Sequence, residues 1–373
     1  MDFPPSSAPF TRLPDASRLQ PASRAAILSH LVSHDLLTTA IDDLASRRDI
    51  GRERSTAVLG EILDGRASDA QIAAFLIALR TKGETEDELT GLAEALRGQA
   101  TQVHPLHEDL LDTAGTGGGR RTFNVSTTAA LIAAGAGCVV AKHGNRSATG
   151  LSGSADVLEA LGARLDLGPE AEARAIDETG FGFMFAPAHH AAMRHVVPVR
   201  KALAVRTVFN LLGPLTNPAG ARRQLVGISD PGALDIVAGA LQRLGVERAL
   251  VVSGDDGLDE LSISSPTHVV EVNQDSIRRY VVEPAQVGVR PAGQHETDGG
   301  DPARNAEITR SVLAGEPGPA LELSVLNAGA AIYAAARADD IASGVELARA
   351  AIESGAAQRT LDAYVALSRE LAA

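Results

Sequence analysis

Between Asp112 and Gly162 the chain reads DTAGTGGGRRTFNVSTTAALIAAGAG, then CVVAKHGNR, then SATGLSGSADVLEALG. Two glycine-rich turns, each after a short apolar run and before a helical pattern, are spaced to become neighbours at one edge of a parallel sheet. Gly115 to Gly119 cannot continue the strand around Leu110 and Leu111, and Thr127 to Ala134 reads as a helix with Ser126 or Thr127 as its cap. Glycines let backbone N–H groups approach a ligand closely, and a helix start adds unpaired donors and the positive end of its dipole. The chemistry this arrangement offers is the binding of an anion, with phosphate the natural guest.

The second turn narrows the choice. Cys138 to Ala141 reads as a buried strand whose carboxyl end carries Lys142, His143, Gly144, Asn145 and Arg146, where open α/β sheets bind ligands. Ser152, Gly153 and Ser154 then precede a helix from Ala155 to Leu161, with Asp156 in its first turn. Two cations and an amide facing a glycine nest suit a polyanion better than a hydride carrier. The dinucleotide fingerprint fails, because Arg120 stands where its third glycine belongs and no acidic residue follows at the required distance. The nucleotide P-loop fails too, since no Gly-Lys-Ser/Thr triplet closes the turn.

Asp255, Asp256, Asp259 and Glu260 crowd the loop DDGLDELS, which follows the strand-like ALVVSG. A solvated acidic loop explains such a run when it stands alone. Beside a polyanion it is repulsive unless a divalent cation intervenes, and Mg²⁺ typically takes one or two carboxylates together with phosphate oxygens. His189, His190 and His195 invite a zinc reading, but His190 and His195 are not at i and i+4 and no Glu follows in the zinc-protease pattern, so packed imidazoles are expected.

The elements that must position these residues follow from periodicity. Helices are expected at Leu36 to Ser46, Arg52 to Asp64, Asp69 to Thr81 and Thr85 to Ala100, with Ser68 and Thr85 as starts and Gly65 and Gly83 as stops. Ile72, Phe75, Leu76 and Leu79 recur at helical spacing and form a stripe that must be buried. Gly180 to Phe185 reads as a strand, and Arg200, Lys201 and Arg206 are expected on a helix after Pro198. Beyond Gln224 come the strand QLVGIS, a helix from Gly232 to Leu244, the strand ALVVSG, and short strands at His268 to Val272 and Arg279 to Val282. Residues 284 to 302 are loop-like, and the tail from Ala303 is helical.

Taken together, GTGG, TFNVST, KHGNR and SGSADVLEALG, in this order and nearly this spacing, resemble the anthranilate phosphoribosyltransferases of tryptophan biosynthesis, and the likeness runs from about Leu36 to the C-terminus. The resemblance implies an α/β fold with a small all-helical domain and a large domain whose mostly parallel central sheet is flanked by helices. Residues 1–24, rich in Pro, Ser and Ala, read as a flexible arm, and the resemblance places a helical dimerisation domain at 25–105 with 191–218 packing onto it, and the donor-binding α/β domain at 106–190 and 219–373. The substrates implied are 5-phosphoribosyl 1-pyrophosphate (PRPP) and anthranilate, with Mg²⁺ as cofactor and a homodimer as the assembly. By the same resemblance PRPP is held by Gly115, Gly118, Thr122, Asn124, Ser126, Thr127, Lys142, Gly144, Asn145, Thr149 and Ser154. Anthranilate falls to Gly115, Asn145, His190 and Arg200, and the metal to Ser126, Asp259 and Glu260. Lys142 and Arg146 are the expected electrostatic catalysts, with no general base.

Three departures from the family pattern stand out. GTGGDG is shortened here by the loss of its Asp, leaving Gly118 and Gly119 adjacent. Thr149 and Leu151 stand where Ser and Lys are common, and Ala191 follows His190 where Pro is frequent. Two other functions fit the residues: a related phosphoribosyltransferase with another aromatic acceptor, or a catalytically silent binding protein.

Composition sets outer bounds. A chain of 373 residues with 45% apolar residues can bury a large core, while 3% aromatics and no Trp argue against a nucleic-acid stacking platform. A net charge of −13 repels nucleic acid and anionic lipid at long range, so neither is an expected partner. The single cysteine, Cys138, cannot form an intrachain disulfide, and no apolar run reaches membrane length, so the cytoplasm is the expected compartment.

Overall fold

The computed structural model describes residues 36–147 and 150–372. The expected N-terminal arm and Thr149 lie outside these. Four helices open the described chain: α1 (36–45), α2 (Gly51–Leu63), α3 (Asp69–Lys82) and α4 (Glu86–Gln99). Reciprocal caps set two of their starts, Ser68 with Gln71 and Thr85 with Glu88, each side chain satisfying the other residue's backbone N–H. Glu88 is fully buried, and its carboxylate also accepts from Lys82 Nζ at 2.8 Å and from Ile50 N at 3.1 Å. One side chain thereby caps α4 and ties it to the entry of α2.

The remainder alternates strand and helix. In order come β1 (Leu110–Gly115), α5 (Val125–Gly135), β2 (Val139–Gly144), α6 (Ser154–Leu161), α7 (Pro169–Thr179) and β3 (Phe181–Phe185). Short helices α8 (Ala186–His189), α9 (Val197–Leu203) and α10 (Phe209–Leu212) then precede β4 (Arg223–Gly227), α11 (Leu234–Arg243), β5 (Arg248–Gly254), β6 (Thr267–Asn273) and β7 (Ser276–Val282). Four helices close the chain: α12 (Pro302–Leu313), α13 (Pro319–Ala334), α14 (Ile341–Glu353) and α15 (Ala356–Leu371).

The seven strands form one sheet in the order β3-β2-β1-β4-β5-β6-β7, with β3 to β5 parallel and β6 and β7 added antiparallel. From β1 the chain steps outward to β2 and β3 and then returns to the other side for β4 and β5. The strand order therefore reverses between β1 and β4, and in open α/β sheets the ligand crevice opens outside the carboxyl ends at such a reversal.

Strand alternation divides the core between the two faces of the sheet. Leu225, Leu250 and Val252 pack with α5 and with helices α12 to α15, whereas Val226, Ala249 and Val251 pack with helices α1 to α4 and α11. Val196, Val199, Val208, Phe209, Leu212 and Leu215 join the second cluster, so the 191–218 segment lies against the N-terminal helices. Two local expectations need correction. Helix α9 ends at Leu203, where Ala204 takes φ +52°, so Arg206 lies beyond the helix rather than on it. Helix α5 begins at Val125 with Asn124 at its cap position, so Ser126 and Thr127 lie inside its first turn.

Asn327 in the buried helix α13 shows how the core holds the acidic loop. Its amide accepts from Leu261 N at 2.9 Å and donates to Leu261 O at 2.9 Å, and it also donates to Leu323 O at 2.9 Å. Asn327→Leu strands both peptide groups of Leu261 in the interior and should lower stability by about 2–3 kcal/mol in urea unfolding. An unchanged urea midpoint would contradict this role.

Candidate active site

The first glycine turn lies over the tips of β1 and β4, which are in register at Gly115 and Gly227. Gly117 and Gly118 take φ +65° and +79°, a left-handed pair that side chains disfavour. The acidic loop folds back over the same tips. A Cβ on Gly227 would stand 1.7 Å from Asp259 O, so only glycine admits the loop there. The Asp259 carboxylate lies against Gly115 and Gly119 and accepts from the backbone of Gly117.

Glu260 reaches the start of α5 and accepts from the backbone N–H of Ser126. Burial raises the carboxyl pKa of both acids, and the neighbouring Asp259 charge raises that of Glu260 further. Lys142 rises from the tip of β2 into the same space and is 1% exposed. Its ammonium donates to Thr113 O and lies 3.3 Å from Thr113 Oγ1 and 3.4 Å from Ser126 Oγ. Burial lowers the lysine's pKa, while Asp112 and Glu260 favour its charge. Asp112, buried in β1, accepts from His143 N at 3.1 Å and from Asn217 Nδ2 at 2.8 Å, which pins the KHGN segment to the turn after α10.

The second turn is held by carboxylates. Gly153 is the cap of α6, Ser154 lies within the helix, and Asp156 accepts from Gly153 N at 2.8 Å and Ser147 N at 3.1 Å. Arg146 pairs with Asp156 at 2.9 Å and with Glu159 at 2.5 Å, and its guanidinium stands over the Phe185 ring. Arg146, expected as an electrostatic catalyst, is thus held at the surface by two acids. Asn145 is exposed, and its side chain accepts from Arg146 N at 2.7 Å. Asn124 joins the two turns by donating to Ser152 O at 3.2 Å and accepting from Ser152 Oγ at 2.9 Å and Asn305 Nδ2 at 2.8 Å. Thr122 is half-buried beside Gly299, and Gly144 packs against Phe183 and Ser154. Thr127 is fully buried, with no partner for its Oγ1 among the described residues.

A second cluster adjoins β2. The rings of His143 and His190 are 5.2 Å apart, and His143 Nδ1 is 3.3 Å from Gly213 O. Gly213 follows α10, whose Phe209 carries the Arg200 guanidinium over its ring at 5.3 Å. Arg200 has no carboxylate partner among the described residues, and burial lowers its pKa. His189 instead meets the buried Glu172 at 2.8 Å and Thr101 O at 2.8 Å. Asp112, Asn217 and Gly227 were not singled out from sequence as site residues, and His143 was noted only at the ligand-facing strand end without a role. A charged residue inside the strand pattern LLDTAG was the signal available for Asp112.

Residues 107–358 match the model of the glycosyl transferase family a/b domain, and residues 38–100 match its helical bundle domain. An anthranilate phosphoribosyltransferase of Symbiobacterium thermophilum is 51% identical over 320 residues, 86% of this chain and 94% of that protein. One from Rubrobacter xylanophilus is 50% identical over 90% of this chain and 99% of its own length. The chain belongs to the anthranilate phosphoribosyltransferase family. The crystal structure of the Thermus thermophilus member superposes with a TM-score of 0.84 at 44% identity, covering 88% of this chain and 99% of that one. The Saccharomyces cerevisiae enzyme in complex with PRPP and Mg superposes at 0.82 and 26% identity, covering 90% of this chain and 98% of that one.

The donor set suits the family's metal. Among the described residues no three His, Cys, Asp or Glu side chains group as a metal site. Asp259 and Glu260 supply two hard oxygen donors beside Ser126, and an ion that completes its shell with phosphate oxygens matches Mg²⁺.

Gly227→Ala should push the acidic loop off the sheet edge, speeding amide exchange at residues 257–261 while α2 to α4 remain protected. Equal exchange in both proteins would mean that the close approach is dispensable. The histidine pair generates a pH dependence. Burial, reinforced by each ring's histidine neighbour, depresses His143 to about 3 and His190 to about 4. The unfolded chain takes up these protons near pH 6.5 and the folded protein much lower, so stability present above pH 6.5 is lost as pH falls toward 4. The loss approaches about 1.4 kcal/mol per pH unit for each ring, and urea midpoints at pH 7 and pH 5 should show a smaller loss for His143→Gln than for the parent.

Proposed function

We propose that the protein transfers the phosphoribosyl group of PRPP to the amine of anthranilate, forming N-(5-phosphoribosyl)anthranilate and releasing pyrophosphate. The observation that carries this reading is the meeting, over the β1 and β4 tips, of the glycine turn, the start of α5 and the Asp259-Glu260 pair. Family membership at about half identity across nearly the whole chain supports the same reaction.

The charges explain why a divalent ion belongs here. Lys142 and Arg206 face Asp112, Asp259 and Glu260, two cations against three carboxylates, and a polyanionic donor adds further negative charge. Bound Mg²⁺ would offset this charge and stabilise pyrophosphate as it departs. Asp259 and Glu260 would hold it, with Ser126 alongside. The exposed glycine turn offers backbone amides to phosphate oxygens, while the positive end of the α5 dipole and the buried Lys142 supply positive potential from beneath. As the C1–O bond to pyrophosphate breaks and the C1–N bond forms, the leaving group takes up the electron pair and the anilinium proton passes to solvent. The amine is already a neutral nucleophile at pH 7, so no strong base is required.

Arg200 is assigned to the acceptor carboxylate. A half-buried guanidinium without a carboxylate of its own offers a fork for bidentate pairing. His190 and His143, both neutral, line the approach. A homodimer formed through the helical domain fits this reading, with Ile77 on α3 and Val197 on α9 among its exposed apolar side chains. No described helix is long and apolar enough to cross a membrane, and the cytoplasm is the compartment in which such a biosynthetic reaction is expected.

With PRPP, anthranilate and Mg²⁺, the protein should consume anthranilate, followed by its fluorescence, and release pyrophosphate in equal amount. Turnover only with another acceptor, or donor binding without any turnover, would overturn the assignment. Arg200→Ala should raise the anthranilate KM roughly 30-fold, about 2 kcal/mol for a lost charged pair, with donor affinity little changed. An unaltered acceptor KM would remove Arg200 from this role.

A further inference from the structure

Arg120 closes the shortened glycine turn, where a cation is most simply read as a phosphate ligand. Its geometry points elsewhere. The side chain is only 14% exposed. Its guanidinium donates to Gln294 O and to Thr297 Oγ1 at 3.4 Å, and it stands 3.4 Å from the Asp256 carboxylate and 3.9 Å from Asp298. The Arg120 backbone N–H donates to Gly257 O at 2.9 Å. One residue therefore touches three segments: the glycine turn, the acidic loop and the 294–298 turn.

Asp256 is equally committed. Its carboxylate accepts from Ser262 Oγ at 2.8 Å, from Ser264 Oγ and from Leu258 N at 3.3 Å, and its side chain is 1% exposed. With Arg120 added, its oxygens are engaged within the protein, which separates it from Asp259 and Glu260. The acidic loop is also closed on itself by Gly254 N to Leu258 O at 2.9 Å and Gly257 N to Gly254 O at 3.0 Å. Asp256 is thus the fixed end of a short rigid turn whose other end presents the Asp259-Glu260 pair. Gly119 packs directly on this turn, since a Cβ there would meet Asp259 Oδ1 at 2.7 Å and Gly257 O at 2.8 Å.

We propose that Arg120 is a positioning residue which, through Asp256 and the 294–297 turn, fastens the phosphate-binding glycine turn to the acidic loop and so sets the separation between the backbone amides and the metal-binding carboxylates. The proposal rests on the donor and Mg²⁺ assignment above. It predicts that Arg120 and Asp256 act as a unit although neither touches the donor. A direct phosphate ligand would act without Asp256.

The test compares full-length Arg120→Ala, Arg120→Lys, Asp256→Asn and the Arg120→Ala/Asp256→Asn pair with the parent, after circular dichroism and thermal melts establish that each is folded. Amide exchange, read without substrates, should be at least about tenfold faster at 116–121 and 256–261 in both Arg120→Ala and Asp256→Asn, with β6 and β7 unaltered. Calorimetric titration of PRPP in the presence of Mg²⁺ should show about tenfold weaker binding in each single variant, no further loss in the pair, and partial recovery in Arg120→Lys. Anthranilate KM should stay within about twofold of the parent. Parent-like exchange in Arg120→Ala, or a donor defect in Arg120→Ala that Asp256→Asn does not share, overturns the proposal. If the parent itself binds no PRPP, the functional reading fails, and the exchange data alone still decide whether the fastening exists.

Discussion

Ionised groups leave water at a cost of several kcal/mol each unless charges or hydrogen bonds of the right sign meet them, and the carboxyl edge of this sheet collects several in one place. Asp112, Lys142, Asp259 and Glu260 are all withdrawn from solvent there. Lys142 offsets part of the negative charge, and the Gly117 and Ser126 amides stabilise the two acids of the loop. The compensation is incomplete, and the missing positive charge is what a divalent ion brings. A polyanionic donor and its metal are on this view the other half of the site's electrostatics.

Such crowding is possible only because the backbone can come very close. Gly227 has no side chain where Asp259 passes, and Gly117 and Gly118 occupy a region of backbone space that other residues avoid. The sheet reversal between β1 and β4 brings these features together, and Asn124, Asn217 and Asn327 hold the loops to one another across long stretches of chain. The segment packed against the N-terminal helices carries Arg200 over the Phe209 ring, and the uncharged His143 and His190 rings lie against each other beside β2.

Local chemistry made much of this legible. Glycine clusters, caps such as Ser68 with Gln71, and apolar periods placed many of the helices and strands to within a residue or two, although β2 runs three residues past its expected end, β7 starts three residues early and α7 was not anticipated; the acidic run beside a phosphate site pointed to a metal. What could not be read was where long side chains go. Lys142 and Arg146 are four residues apart and looked alike, yet one dives under the sheet edge while the other is held outside by Asp156 and Glu159. Arg206 was expected on a helix, but the chain leaves that helix at Ala204. Asn124 bridges to Asn305, 181 residues away, a contact that no local pattern encodes.

The central claim is that the buried acidic pair and the two glycine turns form one site for a metal-bound diphosphate. Anomalous diffraction from crystals grown with PRPP and Mn²⁺ in place of Mg²⁺ tests it most directly. Manganese should lie within bonding distance of Asp259 or Glu260, with pyrophosphate oxygens on the amides of the first glycine turn and the start of α5. Manganese bound away from both acids, or diphosphate seated elsewhere, would contradict the account.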